Sequence, residues 1–534
     1  MADIKNWRPF FLAALGGVLQ TLSWPRPGFW PLCLATVACL ILAAHDQRGR
    51  RAFGLGWVYG MSLSLTSLPW IADVLAGYGG LGLVMGWLVT GLLAAILAVY
   101  PAVFAWLIAK PVKSFAAWAL LGSAAWCGLD WLKNWLFTGF NWTPLAGPLA
   151  LSPTMGQAAD VFGFYGLGFF VALVNFLLAG AFLKRREAGW AKARPCLAAA
   201  LALIVAGFAY GHTQFNRWER AAESWPVATV AAVQPSTEQT QKWDADYLTR
   251  LLAKYAGLAR EAAAWEPWLV LWPETAFPFV FEHDYESSEW LRELSRETGG
   301  SILAGLAGVS GYWPEARLHN RMLLLHDGEA GAFYDKIHLV PFGEYVPFKD
   351  VAAVRWLFEQ GLLGAAGSYS PGVATAPIEV PRHPDSPESD GVRLGVLICF
   401  ESTFPYLGRA RALEGAELLV VPTNDGWFGR SRAPEQHLYQ SVMRAVETRR
   451  PLVRAGNTGI SAVVRPSGRL TRGAELYDVG AFPLPTPLPG RANLTITFFV
   501  AWGYLLAPLT AGLTVLWVVA RLFRGRKKDL QLKL

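Results

Sequence analysis

Eight apolar stretches set the terms on which this chain can fold. Seven occupy roughly its first two hundred residues, at about 9–24, 28–45, 53–73, 80–108, 115–133, 162–183 and 195–212, and an eighth at about 496–521 closes it. Most approach the about 20 residues that an α-helix needs to cross the hydrocarbon of a bilayer. Apolar and aromatic residues make up 53% of the chain and charged ones only 16%, too apolar a balance for a water-soluble protein of this size. The expectation is an α-helical membrane bundle of eight transmembrane helices. No small-residue cleavage site follows the first stretch, so it reads as an anchor rather than a removed signal peptide.

The net charge of +7 is placed where it orients such a bundle. Lys5 and Arg8 precede the first stretch. Arg48, Arg50 and Arg51 follow the second, Lys110 and Lys113 the fourth, Lys184 to Arg194 the sixth, and Arg521 to Lys528 the eighth. Every cluster falls on one side, and the intervening loops carry almost no Lys or Arg, Arg26 being the main exception. The positive-inside rule then puts both termini in the cytoplasm and the long stretch between the seventh and eighth helices outside. No basic stripe interleaved with aromatics marks a soluble face, so nucleic acid is not an expected partner. The expected division is a membrane domain at 1–219 with helices one to seven, an external domain at 220–495, and helix eight with a cytoplasmic tail at 496–534.

Between 220 and 495 charge rises and short apolar runs alternate with helical patterns. Val227 to Val233, Trp268 to Trp272, Met322 to Leu325, Leu394 to Ile398 and Leu418 to Val421 read as strands buried on both faces, which points to an α/β sandwich. Helices are expected over Tyr247 to Ala264 and Gln436 to Arg450. The Pro-, Asp- and Ser-rich patch from Pro381 to Asp390 reads as a solvated hairpin or loop. Four of the five cysteines (Cys33, Cys39, Cys127, Cys196) lie in apolar stretches, where a thiol behaves as a small hydrophobe. Cys399 alone belongs to the external part and has no disulfide partner there.

Three segments each end a buried strand with a reactive group: Leu271 to Thr275 with Glu274, Tyr334 to Tyr345 with Lys336, His338 and Glu344, and Leu394 to Glu401 with Cys399. A carboxylate withdrawn from water at a strand end tends toward a higher pKa, useful in a general base. A neighbouring lysine supplies a charge that lowers a thiol pKa and stabilises an oxyanion, and a cysteine can act as nucleophile.

These segments resemble the Glu-Lys-Cys motifs of the nitrilase superfamily. With its flanking apolar stretches the whole chain is similar to the apolipoprotein N-acyltransferases, the membrane-embedded branch of that superfamily. The resemblance implies a nitrilase-like αββα sandwich and a ping-pong acyl transfer without a cofactor or metal. Cys399 would take a fatty acyl chain from a phospholipid, phosphatidylethanolamine being the expected donor, as a thioester. It would then pass the chain to the α-amine of a diacylglyceryl apolipoprotein. Glu274 would be general base and acid, Lys336 the oxyanion donor, and Glu344 and Glu401 supports. Phe140, Trp142, Trp243, Asn424 and Trp427 match positions that contact substrate. Phe400 stands where an aromatic hydroxyl is common and Gly426 where alanine is common. The implied setting is the bacterial inner membrane, with the catalytic domain periplasmic, the chain acting as a monomer, and membrane lipid around it.

Each residue also has a plainer reading. A strand cysteine is usually packing, Glu274 alone could be a cap, Glu344 could close a turn, and His338 reads as structural. The stretch from Pro341 to Pro371, with Phe348 and Trp356, reads either as a mobile arm admitting lipid or as a buried helix. Two other functions compete. A membrane-tethered amidase would release its acyl group to water, and a transporter would need intramembrane charge, for which Asp73 and Asp130 are the candidates.

Overall fold

The computed structural model describes residues 4–531 except 113, 239–241, 243, 244, 313, 360–368, 375 and 382–390. The chain forms two compact units: Met1–Asp73 with Leu83–Thr213 and Trp502–Leu534, and Val74–Gly82 with Gln214–Ala501.

The first unit is helical, and every apolar stretch of the sequence contributes to it. Its helices are α1 (Ile4–Ser23), α2 (Cys33–Ala44), α3 (Gly49–Ser67), α4 (Trp70–Gly77, continuing into the second unit), α5 (Gly82–Leu97), α6 (Val99–Ile108), α7 (Phe115–Leu132), α8 (Ala159–Ala188), the start of α9 (Trp190–Glu223), and a final helix, Leu506–Gln531. Among the described residues, five are long and apolar enough to cross a membrane: Gly82–Ile108, Phe115–Leu132, Ala159–Ala188, Trp190–Glu223 and Leu506–Phe523. Leu83, Val84, Leu88 and Leu92 on α5, and Leu509, Leu513 and Leu516 on the final helix, are exposed. Such faces are stable only against lipid, so this is a membrane protein.

Two expected spans are interrupted. The 53–73 stretch ends its first helix at Ser67 because Pro69 cannot continue it, and α4 restarts at Trp70. The closing stretch breaks between Phe498–Trp502 and Leu506, where Gly503 takes φ +68°.

Helices pack here through small residues and buried amides, as they do where no hydrophobic effect drives them together. Gly56 and Gly60 bring α3 against α6, and a Cβ on Gly60 would stand 2.5 Å from the Ala98 backbone. From α8, Asn175 donates to the Cys33 carbonyl at 3.0 Å and accepts from the Ala38 amide at 2.9 Å. Asp130 pairs with Lys133 at 2.5 Å and accepts from the Leu145 amide, so it braces the loop after α7.

The second unit is a two-sheet sandwich. Its strands are β1 (Val227–Gln234), β2 (Leu269–Leu271), β3 (Phe277–Val280), β4 (Ser301–Ser310), β5 (Arg317–His326), β6 (Glu329–Asp335), β7 (Ile378–Val380), β8 (Val392–Val396), β9 (Leu418–Thr423), β10 (Leu452–Gly456), β11 (Ser461–Val464), β12 (Leu470–Ala474) and β13 (Gly480–Pro487). One sheet runs β13-β1-β2-β4-β5-β6 with β3 beside β4, the other β12-β11-β10-β9-β8-β7.

Strand alternation divides the apolar residues between two cores. Val230, Ala232, Leu269, Leu271 and Leu303 meet Leu394, Val396, Leu418 and Val420 between the sheets. Ala231, Val233, Val270, Ile302 and Ala304 face outward onto Leu251, Tyr255, Ala259, Leu291 and Leu294 of the helices Ala245–Ala263 and Tyr285–Thr298. Helices Pro405–Leu413 and Ala433–Thr448 contact β8 and β10 of the other sheet, which completes an αββα order. β7 and β8 pair antiparallel across the acidic patch, whose residues 382–390 lie outside the described ones.

Candidate active site

Strand ends deliver the reactive groups. β2 runs parallel to β1 and β4, and β8 parallel to β9, so Glu274, Cys399 and Asn424 leave carboxyl ends of parallel strands, the usual place for a site in such sheets. Lys336 immediately follows β6 and is pinned to β5, its amide donating to the Asn320 carbonyl at 2.9 Å. Gly305 on β4 lets the Glu274 turn lie close, since a Cβ there would meet the Thr275 nitrogen at 2.8 Å. Thr275 and Cys399 adopt left-handed φ of 48° and 51°, a strain of about 1–3 kcal/mol each, of the kind that collects at functional sites.

Glu274, Lys336 and Cys399 are all buried and adjacent. The Lys336 ammonium donates to Glu274 Oε1 at 2.8 Å and to Glu344 Oε1 at 3.0 Å. Asn320, which the motifs did not single out, bridges the same two carboxylates at 2.8 and 2.7 Å. The Cys399 thiol stands beside the Glu274 carboxylate and is among the groups that hold it down, and the Asn424 amide donates to Glu274 Oε2 at 3.1 Å. Glu344 also accepts from the Val340 amide at 2.7 Å, so it closes its turn and holds the lysine at once.

The electrostatics differ from the simple expectation of a raised carboxylate and a lowered thiol. Burial pushes Glu274 up, but the Lys336 charge and its hydrogen bond outweigh that and hold Glu274 below the usual glutamate range. Lys336 is held well above its ordinary value: burial opposes, and the two carboxylates prevail. Burial and the Glu274 charge raise the Cys399 thiol, with Lys336 only partly countering. These directions favour carboxylate, ammonium and thiol at rest, an arrangement suited to passing the thiol proton to Glu274 as bond formation begins.

Glu401 spends its carboxylate on the backbone and a tyrosine. Fully buried, it accepts from the Tyr334 hydroxyl and the Ile337 and His338 amides through Oε1, and from the Ile398 amide through Oε2, at 2.7–3.1 Å. It thus ties the lysine loop to the cysteine turn. His338 stacks on Phe404 at 3.7 Å and bonds Tyr406, away from the reacting groups. Trp427 is half-exposed and packs edge-on against Tyr78 at 4.9 Å, while the Tyr78 hydroxyl donates to the Gly426 carbonyl. Trp243 lies outside the described residues. In the helical unit Phe140 and Trp142 stack at 9° and line a cleft with Tyr59, Trp126, Asp130 and Lys133.

Two further buried groups stand nearby. Lys242, 1% exposed, donates to the Thr275 carbonyl at 3.1 Å, and burial lowers it to about 8 although Glu274 pulls upward. Cys399, Asp425 and His437 bring ligand-type atoms within 4.8 Å of one another. Asp425, however, is engaged by Arg454 at 2.6 Å and by His437, so the set is committed to internal bonds rather than shaped for a metal. The sequence signals for these groups were weak: a lone His and Arg in apolar patterns usually read as packing.

Comparisons agree with this architecture. A model of the apolipoprotein N-acyltransferase N-terminal domain matches residues 16–177, and one of carbon-nitrogen hydrolases matches 229–477. The apolipoprotein N-acyltransferase of Geobacter metallireducens is 36% identical over 88% of each chain. That of Azotobacter vinelandii is 33% identical over 98% of this chain and 96% of its own, and that of Vibrio cholerae 29% over 94% and 95%. An amidase structure from Nesterenkonia sp. covers 49% of this chain and 90% of its own at 23% identity and a TM-score of 0.35, so the nitrilase-like fold rests on the family model instead.

Proposed function

The chain belongs to the apolipoprotein N-acyltransferase family, and from that premise we propose that Glu274, Lys336 and Cys399 form its acyl-transfer centre. The protein is a membrane-bound acyltransferase of lipoprotein maturation. The observation that carries the residue assignment is the buried cluster in which Lys336 bonds Glu274 and the Cys399 thiol feels both charges.

In the first half-reaction the thiol proton passes to Glu274 as Sγ attacks the ester carbonyl of a phospholipid acyl chain. The Lys336 ammonium stabilises the oxyanion. Collapse breaks the ester C–O bond, Glu274 returns its proton to the glycerol oxygen, and a lysophospholipid leaves a thioester on Cys399. In the second, the acceptor's α-amine attacks the thioester, Glu274 takes the amine proton, and collapse to the amide expels Cys399, which recovers that proton. Phosphatidylethanolamine is the donor in this reading and a diacylglyceryl apolipoprotein the acceptor, with one chain sufficing.

All eight apolar stretches cross the inner membrane in this reading, with 1–219 and 496–534 flanking a periplasmic 220–495. What supports this is the one-sided placement of Lys and Arg. Phe140 and Trp142 take part in substrate binding from the helical unit, with Asn424, Trp427 and Trp243 doing so from the catalytic one. Exposed Phe342, Phe348 and Trp356 support a lipid-facing arm within 341–371, of which 360–368 lie outside the described residues.

The amidase alternative is tested by partition. Purified protein given phosphatidylethanolamine and a diacylglyceryl-cysteine peptide should produce N-acylated peptide in step with lysophospholipid. Free fatty acid formed instead, with the peptide unchanged, would replace transfer by hydrolysis.

Glu401 is a positioning residue in this scheme. Glu401→Gln replaces an acceptor by a donor facing a backbone N–H, and the resulting misplacement of Lys336 relative to Cys399 should lower kcat about 10²-fold. KM for phospholipid should hold. A KM effect with kcat intact would contradict the role.

A further inference from the structure

Beside the Glu-Lys-Cys cluster the fold holds a second group that looks like a thiol's base and is not placed as one. His437 and Asp425, both fully buried, and Cys399 lie together in the manner of a Cys-His-Asp set. The nearest partner of His437 Nε2, however, is the Cys399 main-chain carbonyl at 2.9 Å, with Ser402 Oγ at 3.0 Å. A carbonyl only accepts, so Nε2 carries its hydrogen whether the ring is neutral or charged. It therefore has no lone pair for the thiol.

Nδ1 faces Asp425 Oδ1 and Arg454 Nη2, each at 3.0 Å. Arg454 also bonds Asp425 Oδ2 at 2.6 Å and Ser441 at 3.3 Å. Ser441 donates to Ser402, which itself donates to the Cys399 carbonyl at 2.9 Å. Two donor chains thus converge on one carbonyl oxygen, that of the residue held at φ 51°.

We propose that His437, steadied by Asp425 and Arg454, is a positioning residue that anchors the Cys399 carbonyl and so fixes the nucleophile turn. The peptide unit is planar. Holding that oxygen also holds the Phe400 N–H on the opposite side of the same plane, and Sγ keeps its line of attack. This inference rests on Cys399 being the nucleophile.

The test compares His437→Gln, whose Nε2 can still donate to the carbonyl, with His437→Met, which has similar length and no donor. The first readout is single-turnover acylation of Cys399 by phosphatidylethanolamine, followed by intact mass and normalised to folded protein. The second is alkylation of Cys399 by iodoacetamide. Loss of the anchor should slow acylation about 10²-fold in His437→Met, while His437→Gln stays within about tenfold of wild type, as misplacement without loss of chemistry requires. Alkylation should change less than about threefold in either, because Glu274 and Lys336 still set the thiol.

Equal losses in Gln and Met would overturn the anchor. A collapse of alkylation in both would make His437 a base, which also overturns it. Should wild-type Cys399 itself take no acyl group, the failure is that of the proposed function and not of the anchor.

Discussion

Cys399→Ala should lose turnover to background, a fall of about 10⁶-fold on the scale at which nucleophile removal is measured in other covalent enzymes. The side chain is small and packs in the inter-sheet core, so the fold should survive at a cost of about 1 kcal/mol. Lysophospholipid release and lipoprotein acylation should vanish together, since both depend on one thioester. A transporter with an inactive cap would tolerate the change. Retained acylation by the Ala variant at even a hundredth of the wild-type rate would remove the cysteine from the mechanism.

Lys336→Met should be costly twice over. Glu274 and Glu344 would then face each other across Asn320 without the ammonium that bonds both, and removing one partner of a buried ion pair costs about 3–5 kcal/mol. The pH dependence follows from the Glu274 shift. In the wild type its folded pKa lies below the unfolded one, so its stabilisation is fully present above the ordinary glutamate range and is lost as pH falls through the lowered folded value. In the variant burial and the nearby Glu344 carboxylate outweigh the neutral donors that remain, Asn320 and the Asn424 amide, and raise Glu274, a penalty at neutral pH that is relieved as pH falls through the raised value.

The thermal-stability gap between the two proteins should therefore be largest near neutrality and narrow on acidification. A gap that widens in acid would contradict the pairing. Activity should fall with the oxyanion donor, by about 10²–10³-fold or more. Adding Glu274→Gln to the variant should recover stability without recovering activity.

Much of this site could be read from the chain because its parts sit where strands end. The continuous apolar runs before Pro273 and Cys399 announced buried parallel strands, and the glutamate and cysteine motifs followed them directly, whereas the lysine motif follows β6, a mostly exposed antiparallel edge strand and not the buried one expected. What escaped was set by distance in sequence. Asn320 joins Glu274 and Glu344 from mid-strand β5, and nothing local marks a polar residue ahead of Met322 to Leu325 as a ligand for carboxylates elsewhere. Asp425, His437 and Arg454 come from a turn, a helix and a strand, and only the fold assembles them.

The protonation states were misjudged for a related reason. Burial alone raises a carboxylate, whereas the outcome depends on how near the ammonium comes, which spacing does not reveal. Glu401 carried a recognisable position but not its task, since the groups that bond it, backbone amides and Tyr334 of β6, leave no mark in the sequence. In the helical unit, hydropathy located each helix, but Pro69 and Gly503 broke two of them because local backbone rules override an apolar average.

The central claim is that a thiol, an ammonium and a carboxylate from three strand ends act as one acyl-transfer unit with Cys399 as carrier. Intact and peptide mass spectrometry of the purified protein after exposure to phosphatidylethanolamine of known acyl composition addresses it most directly. A single fatty acyl mass on the Cys399 peptide, labile to hydroxylamine and discharged by a diacylglyceryl-cysteine peptide, is the predicted result. Acylated acceptor formed while Cys399 never carries the acyl group would contradict it.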